Sequence, residues 1–184
     1  MKVTHTDLPE VLLVEPLIFA DGRGYFGEVF SARRYAALGI DGPFAQDNVT
    51  FSRNGVLRGL HFQHPNGQGK LVYVLRGEVF DVAVDVRVQS ARFGRWASAV
   101  LSAANHAQIF IPAGFAHGFV VTSTDAIVAY KCTDYYAPQS EQSIRWDDPD
   151  IGIAWPVAAP QLSARDESAP LLREIPRDRL PPYG

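Results

Sequence analysis

The chain has 184 residues, of which 47% are hydrophobic and 20% are charged, and its formal net charge is −3 at pH 7. This composition is typical of a globular protein, and the length predicts one well-buried domain over residues 1–184. The slightly acidic balance, with no run of basic residues, argues against a nucleic-acid-binding surface. The single cysteine, Cys132, excludes an internal disulfide and a multi-cysteine zinc site.

The beginning of the chain, "MKVTHTDLPE", has a proline and acidic residues where a secretory signal would need an apolar stretch. No apolar run elsewhere reaches the length that a membrane-spanning helix needs. We therefore expect a cytoplasmic protein that makes no contact with a membrane.

Short apolar and β-branched runs, separated by turn residues, fill most of the chain. In chain order, strands are predicted at 11–19, 55–63, 70–86, 95–102, 107–112, 117–123 and 126–133. The range 70–86 contains two strands, which are separated by a hairpin-like break at Arg76-Gly77. Only residues 31–40 predict a helix, with Ser31 as a possible cap and Gly39 as a stop. The tail from Pro156 contains six prolines, and we expect it to wrap around the body without a strand of its own. This pattern predicts an all-β sandwich or barrel with short peripheral helices.

The run at 78–86 alternates between apolar and acidic residues. Phe80, Val82 and Val84 share one face of the predicted strand, whereas Asp81 and Asp85 share the other. We interpret the two aspartates as a solvated or hydrogen-bonded face and assign them no chemical role.

Several polar side chains lie within or beside apolar strands, where leaving them unpaired would be costly. They are Arg58, His61, Lys70, His117 and Tyr130. Together they could remove a proton next to a carbonyl group, because that reaction needs a base, a fixed positive charge for the enolate oxygen and a second acid. A carboxylate that orients the imidazole would complete the set, and Asp166 in "LSARD" is a plausible one.

The spacing of Arg58 and His61 raises a difficulty for this hypothesis. Strict alternation along a strand sends residues 58 and 61 to opposite faces. Both can line one cavity only if the strand bulges or bends, and we predict that distortion at Gly59.

Metal binding is the competing use of the histidines. "PAGFAHGF" is similar to the second half of the metal-binding motif of cupins, with His117 after a Pro-x-Gly turn. The first half of the motif is missing, because His61 is followed by Phe62-Gln63 and the second histidine would have to stand at position 63. His64 lies three positions after His61, so it points to the opposite face of a regular strand. Two imidazoles without a third ligand hold zinc or iron poorly, so we expect neither a metal nor another cofactor.

Long segments of the chain resemble the dTDP-4-dehydrorhamnose 3,5-epimerase family in order and nearly from end to end. They are "DGRGYFGEVF", "FAQDNVTFS", "GVLRGLHFQ", "GQGKLVYVLRGEVFDVAVDVR", "LSAANHAQIFIPAGFAHGF", "YKCTDYYAP", "WDDPDIGIAWP" and "LSARD". The resemblance implies a metal-free cupin with a jelly-roll β-barrel, acting as a homodimer in rhamnose biosynthesis. It also implies an isomerase that epimerises a dTDP-linked 4-keto-6-deoxyglucose at C3 and C5, on either side of the C4 ketone.

The resemblance also assigns roles to individual residues. His61 would be the base, Tyr130 the acid, Asp166 the carboxylate behind His61, and Lys70 the cation near the ketone oxygen. It implies that the substrate or its phosphates contact Arg58 and His117. It implies that the nucleotide contacts Arg23, Glu28, Gln46 and Asn48, some of them supplied by the partner subunit. Phe19 and Tyr136 would be stacking groups, and Glu141 and Arg165 would be peripheral nucleotide contacts.

The sequence departs from the family pattern at the rim of this expected pocket. The loop "HPNGQGK" has His64-Pro-Asn66 where the family usually has Pro-Pro or a similar segment, and Gly27 replaces a common aromatic residue. These departures leave open an epimerase for C3 alone or C5 alone, or one for a different nucleotide sugar. A non-catalytic cupin sugar-binding module is the alternative from another class of protein.

Overall fold

A computed structural model describes residues 1–183 and consists mainly of antiparallel strands. The strands are β1 (Lys2–His5), β2 (Leu12–Glu15), β3 (Ile18–Asp21), β4 (Gly24–Gly27), β5 (Gln46–Arg53), β6 (Leu57–Gln63), β7 (Lys70–Arg76), β8 (Glu78–Asp85), β9 (Trp96–Ser102), β10 (Gln108–Ile111), β11 (Phe115–Val121), β12 (Asp125–Cys132) and β13 (Glu141–Ser143). The helices are α1 (Ala32–Ala36) and α2 (Ala164–Glu167), and three single 3₁₀ turns follow β12 and α2. None of the described helices is long and apolar enough to cross a membrane.

Two sheets face each other in a cupin-like β-sandwich, which confirms the predicted all-β class with short peripheral helices. The six-stranded sheet has the order β1-β2-β10-β7-β12-β5, and the five-stranded sheet has the order β13-β6-β11-β8-β9. Apolar side chains from both inner faces, such as Val72 and Val128 of one sheet and Ala83 and Phe119 of the other, form the central core. At one end of the sandwich, polar side chains of β5, β6, β7, β11 and β12 replace this apolar filling.

The outer face of the five-stranded sheet is covered by the C-terminal tail. Val82 and Val84 of β8 pack against Leu172, Ile175 and Leu180 of the tail, all of which are buried. Between residues 156 and 183 the described tail forms no strand, and its only β-bridges are isolated ones, of Gln161 with Val56 and of Pro182 with Val88. The tail therefore completes the packing of β8 on its second face. That the whole chain forms one domain stays a prediction.

The interpretation of Asp81 and Asp85 as a solvated face was wrong. Both are fully buried, because β8 is an inner strand of its sheet and they share its inner face with Val79 and Ala83, which belong to the core between the sheets. Both are hydrogen-bonded, as the other half of that interpretation expected: Asp85 binds Arg87 and Ser90, and Asp81 binds His117.

Strand boundaries differ from the prediction where proline or polarity interrupts the apolar pattern. The predicted run at 11–19 divides at Pro16 into β2 and β3, because proline cannot donate a ladder hydrogen bond. The predicted helix at 31–40 is shortened to α1, and Ser31 precedes it without a side-chain capping bond. The hairpin of β3 and β4 forms a separate two-stranded sheet on the surface.

Candidate active site

A local distortion of β6 brings Arg58 and His61 to the same cavity. The pairing of β6 with β11 shifts register between His117 and Phe119, opposite Gly59. Gly59 has φ +117°, and a Cβ added there would lie 2.6 Å from the Cα of Gly118. The distortion is therefore located at the predicted residue, and it depends on the absence of a side chain.

Two adjoining cavities open between the sheets, with volumes of about 410 Å³ and about 240 Å³. His61, Lys70 and Tyr130 line both of them and so lie at their junction. The larger cavity is also lined by Thr50, Arg58, His117, Phe119, Ser163, Arg165 and Asp166. The smaller cavity is also lined by Gln46, Asn48, Gln68, Tyr136 and Glu141. The structure thus brings together eleven of the fourteen predicted site residues.

His61 is held by a buried carboxylate of the tail. Its Nε2 lies 2.6 Å from Oδ1 of Asp166, which is 3% exposed. The backbone N–H of Asp166 donates to the hydroxyl of Ser163, which caps α2. Burial alone would raise the pKa of the Asp166 carboxyl, but the hydrogen bonds from His61 and Ser163 lower it below the ordinary value. The ionised carboxylate accepts the Nε2–H of His61, so Nδ1 is the nitrogen available to act as a base.

Lys70 and Tyr130 lie at the junction of the cavities, and burial shifts their pKa values in opposite directions. Burial lowers the pKa of the Lys70 ammonium, although the thiol of Cys132 and the carboxyls of Glu141 and Asp81 oppose that shift. Burial raises the pKa of the Tyr130 phenol, so the phenol keeps its proton at neutral pH. Lys70 can therefore supply positive charge to an oxygen anion, and Tyr130 can supply a proton.

Arg58 extends into the larger cavity from the distorted strand. Its Nε donates to the hydroxyl of Ser52 at 3.0 Å, and its Nη2 lies 3.5 Å from the carbonyl oxygen of Phe51. Both partners are neutral, and no carboxylate among residues 1–183 forms an ion pair with this guanidinium. An anionic ligand would therefore find an uncompensated positive charge in the cavity.

A second histidine–aspartate pair lies directly across the ladder from the first. His117 of β11 is the cross-strand partner of His61, and its Nε2 lies 2.9 Å from Oδ2 of Asp81. The pair is almost completely buried. Sequence reasoning assigned no role to Asp81 because the alternation identified only one apolar face of β8. Asp81 would have been found by asking what partner the buried His117 must have.

Polar residues on β5 form another part of the site that the strand prediction missed. Gln46, Asn48, Thr50 and Ser52 point inward, whereas Val49 and Phe51 between them are exposed. Gln46 and Asn48 are hydrogen-bonded to each other, and the backbone N–H of Tyr136 donates to Gln46. The buried hydroxyl of Thr50 has no hydrogen-bond partner within the described part of the chain.

Three predicted nucleotide contacts lie outside both cavities. Phe19 and Arg23 belong to the exposed hairpin of β3 and β4, where Arg23 pairs with Asp21 at 2.6 Å. Glu28 follows the hairpin and pairs with Arg34 of α1. Within one chain, none of these three residues lines either cavity.

The donor groups of the site do not form a metal-binding cluster. Within residues 1–183, no three His, Cys, Asp or Glu side chains are arranged so that they could hold a metal ion. The two histidines use Nε2 to bind aspartates instead.

Comparison with known proteins identifies the family. The sequence model of a family described as dTDP-4-dehydrorhamnose 3,5-epimerase matches residues 5–174. The chain belongs to this family. Among curated members of the dTDP-4-dehydrorhamnose 3,5-epimerase family, one from Salmonella typhimurium is 52% identical over 175 residues, which cover 94% of this chain and 96% of that protein. Another, from Neisseria gonorrhoeae, is 54% identical over 167 residues, which cover 90% of this chain but only about half, 51%, of that protein.

Solved structures of epimerases have the same fold. The dTDP-6-deoxy-D-glucose-3,5-epimerase from Legionella pneumophila, crystallised in complex with dTDP-4-keto-L-rhamnose, superposes with a TM-score of 0.97 at 51% identity. The match covers 100% of this chain and 98% of that one. The similarity extends to an enzyme named for one carbon only, because a dTDP-4-dehydro-6-deoxyglucose 3-epimerase from Streptomyces bikiniensis is 42% identical over 92% of this chain and 88% of its own length.

Proposed function

We propose that this protein is an isomerase that converts dTDP-4-dehydro-6-deoxy-D-glucose to dTDP-4-dehydro-L-rhamnose by epimerising C3 and C5. The observation that carries the proposal is the junction of the two cavities, where His61, Lys70 and Tyr130 meet with Asp166 behind His61. These are the groups that a proton transfer next to a ketone requires.

In the proposed reaction, Nδ1 of His61 removes the proton from the carbon beside the C4 ketone. The electron pair of the broken C–H bond moves to the C4 oxygen, and the ammonium of Lys70 stabilises the enolate that forms. The phenol of Tyr130 then donates a proton to the same carbon from the other face of the ring, and the enolate collapses to the ketone. Before the second carbon reacts, the imidazolium of His61 releases its proton to solvent and the Tyr130 phenolate takes one up from solvent. Repetition at the second carbon then completes the double epimerisation without any net gain or loss of protons by the substrate or the protein.

The two cavities suggest how the rest of the substrate is bound. Arg58 and His117 belong to the larger cavity, where the unpaired charge of Arg58 suits a phosphate group. Gln46, Asn48 and Tyr136 belong to the smaller cavity and offer amides and an aromatic ring to the nucleotide. The assignment of Glu141 and Arg165 as nucleotide contacts stays a prediction.

We also propose that the active form is a homodimer in the cytoplasm. The exposed apolar residues support the dimer, since Val49 and Phe51 of β5 and Phe19 and Phe26 of the hairpin all lie on the surface of one chain. A partner subunit that covers this surface would bring its own Phe19, Arg23 and Glu28 to the site. This arrangement accounts for predicted contacts that the single chain leaves outside its cavities.

Incubation with dTDP-4-dehydro-6-deoxy-D-glucose in heavy water tests the reaction. We expect deuterium at both C3 and C5 of the sugar, together with the L-rhamno product, as measured by NMR. Deuterium at C3 alone would identify a 3-epimerase like the Streptomyces relative, and deuterium at C5 alone would identify a 5-epimerase. Binding of the substrate without any exchange would favour the non-catalytic sugar-binding module and would contradict the proposal.

The pH dependence of the rate tests the role of Lys70. Burial lowers the pKa of Lys70, so its ammonium loses its proton below the ordinary 10.5 as the pH rises. Burial shifts the pKa of the Tyr130 phenol in the opposite direction, above its ordinary 10.0. We expect kcat/KM to fall on the alkaline side below pH 10.5, and we expect Lys70→Arg to move that fall to higher pH while lowering the rate. An alkaline limb at the same pH in both proteins would exclude Lys70 as its source.

A further inference from the structure

Two fully buried polar side chains, Tyr35 and Gln108, have no part in the proposed reaction. The hydroxyl of Tyr35 lies 2.8 Å from Oε1 of Gln108 and 2.9 Å from the carbonyl oxygen of Val29. The Nε2 of Gln108 donates to the same carbonyl oxygen at 2.9 Å. Burial raises the pKa of Tyr35 to about 12, so its hydroxyl keeps the proton that it donates. The three groups therefore satisfy one another within apolar surroundings.

Gln108 is connected to both legs of the hairpin formed by β3 and β4. Its backbone pairs with Val14 of β2, the strand from which the chain enters the hairpin. Its side chain binds Val29, which lies two residues after the end of β4. Tyr35 of α1 binds Val29 from the other side of the cluster. One buried cluster thus holds the chain where it enters the hairpin and where it leaves it.

The hairpin projects from the sandwich as a separate two-stranded sheet. Such a hairpin is only marginally stable by itself, so its direction depends on how its base is held. Tyr25 near its tip is 62% exposed, although its ring centroid lies 4.5 Å from that of His106. At the base, an unpaired buried amide or hydroxyl would be costly, so the cluster favours one position of the Val29 carbonyl. Glu28 directly precedes Val29 and is held with it.

We propose that Tyr35 and Gln108 are positioning residues that fix the base of the hairpin and thereby the direction in which it carries Arg23 and Glu28 to the partner subunit. Neither positioning residue lines a cavity of the candidate active site. The effect on ligand binding rests on the proposed function and on the proposed dimer, whereas the effect on the hairpin itself does not.

The first test measures hydrogen–deuterium exchange in the ligand-free protein by mass spectrometry. We expect Tyr35→Phe and Gln108→Met to increase the exchange rate over residues 18–30 by about threefold or more, with exchange in β8 and β11 unchanged. Phenylalanine keeps the ring of Tyr35 in its apolar cluster, so we expect that variant to fold. Tyr183→Phe is the matched control, because Tyr183 is half exposed at the end of the tail. Unchanged exchange over residues 18–30 in either cluster variant would overturn the proposal.

The second test separates positioning of the hairpin from damage to the catalytic residues. We expect Gln108→Met to weaken the Kd for dTDP, measured by calorimetry, by about tenfold and to leave kcat within about twofold of the original value. The reason is that His61, Lys70 and Tyr130 belong to the cavities of the same subunit and not to the hairpin. An unchanged Kd, with or without a loss of kcat, would contradict the proposal.

Mixed dimers test whether the hairpin acts in the site of the partner. In a dimer of one His61→Ala subunit and one Gln108→Met subunit, the first supplies an intact hairpin and the second supplies intact catalytic residues. We expect this dimer, isolated after co-expression with two affinity tags, to react with the KM of the original protein. A KM as high as that of the Gln108→Met homodimer would overturn the proposal. If the original protein shows no epimerisation in heavy water, the proposed function fails, and the exchange measurement alone still decides whether the two residues fix the hairpin.

Discussion

His61→Ala is expected to lower kcat by at least about 10²-fold and up to about 10⁴-fold, the range that a general base typically contributes. The imidazole is the group at the junction of the cavities that has a free ring nitrogen and a carboxylate behind it. Alanine removes the base while leaving Lys70 and Tyr130 in place. The measurement is the initial rate of epimerisation, followed by NMR, together with calorimetric titration of dTDP.

The affinity for dTDP should stay close to that of the original protein, because His61 is assigned to the sugar and not to the nucleotide. His5→Ala is the matched control: His5 is exposed on the edge strand β1 and lies outside both cavities of the site. We expect that variant to react at an unchanged rate. A His61→Ala protein that retains most of its rate would refute the assignment of the base.

The second large effect is expected from Gly59→Ala, which should prevent stable folding or lower the free energy of unfolding by more than about 3 kcal/mol. A Cβ at this position would lie 2.6 Å from the Cα of Gly118 and 2.7 Å from the carbonyl oxygen of His117. Both are backbone atoms of the paired strand, so neither can rotate away. The φ of +117° is also unfavourable for any residue with a side chain. Thermal and urea unfolding followed by circular dichroism would measure the loss.

Gly55→Ala provides a control that separates the two causes. Gly55 also has a positive φ, +75°, but an added Cβ there would meet no atom within 4 Å. We expect this variant to lose only about 1–2 kcal/mol, the cost of a left-handed backbone for an L-residue. Equal losses at the two positions would show that close packing of β6 against β11 does not require a glycine at 59.

The sequence predicted the strands that have an apolar inner face and missed the one that reverses this pattern. Apolar runs identified β7, β8 and β12 because their side chains fill the core. β5 points amides and hydroxyls inward and exposes Val49 and Phe51, so its alternation indicates no core-facing strand. The reversal has a physical reason, since this edge of the sheet borders the cavities and not the apolar core.

The candidate site was predictable as a set of residue types but not as an arrangement. The chemistry of His61, Lys70 and Tyr130 could be inferred from their apolar surroundings, and Asp166 was a plausible carboxylate partner that the family resemblance then supported. Strict alternation along β6 would place Arg58 and His61 on opposite faces of the strand. The register shift that brings both to one cavity depends on contacts between β6 and β11. The role of Asp81 was missed for a similar reason, because its burial depends on the packing of the two sheets against each other, which places its face of β8 beside Val79 and Ala83 in the central core.

Every described strand ends before the tail begins, yet the tail supplies the carboxylate that holds the imidazole of His61, the proposed base. A chain cut just before Ser163 would keep the sequence of all thirteen described strands but would lack the His61–Asp166 pair and the tail residues that cover β8. Docking of the tail therefore completes the packing of β8 and the His61–Asp166 pair together. If His61 is the base, the onset of activity in a folding chain would report the docking of residues 163–183 on the sheet.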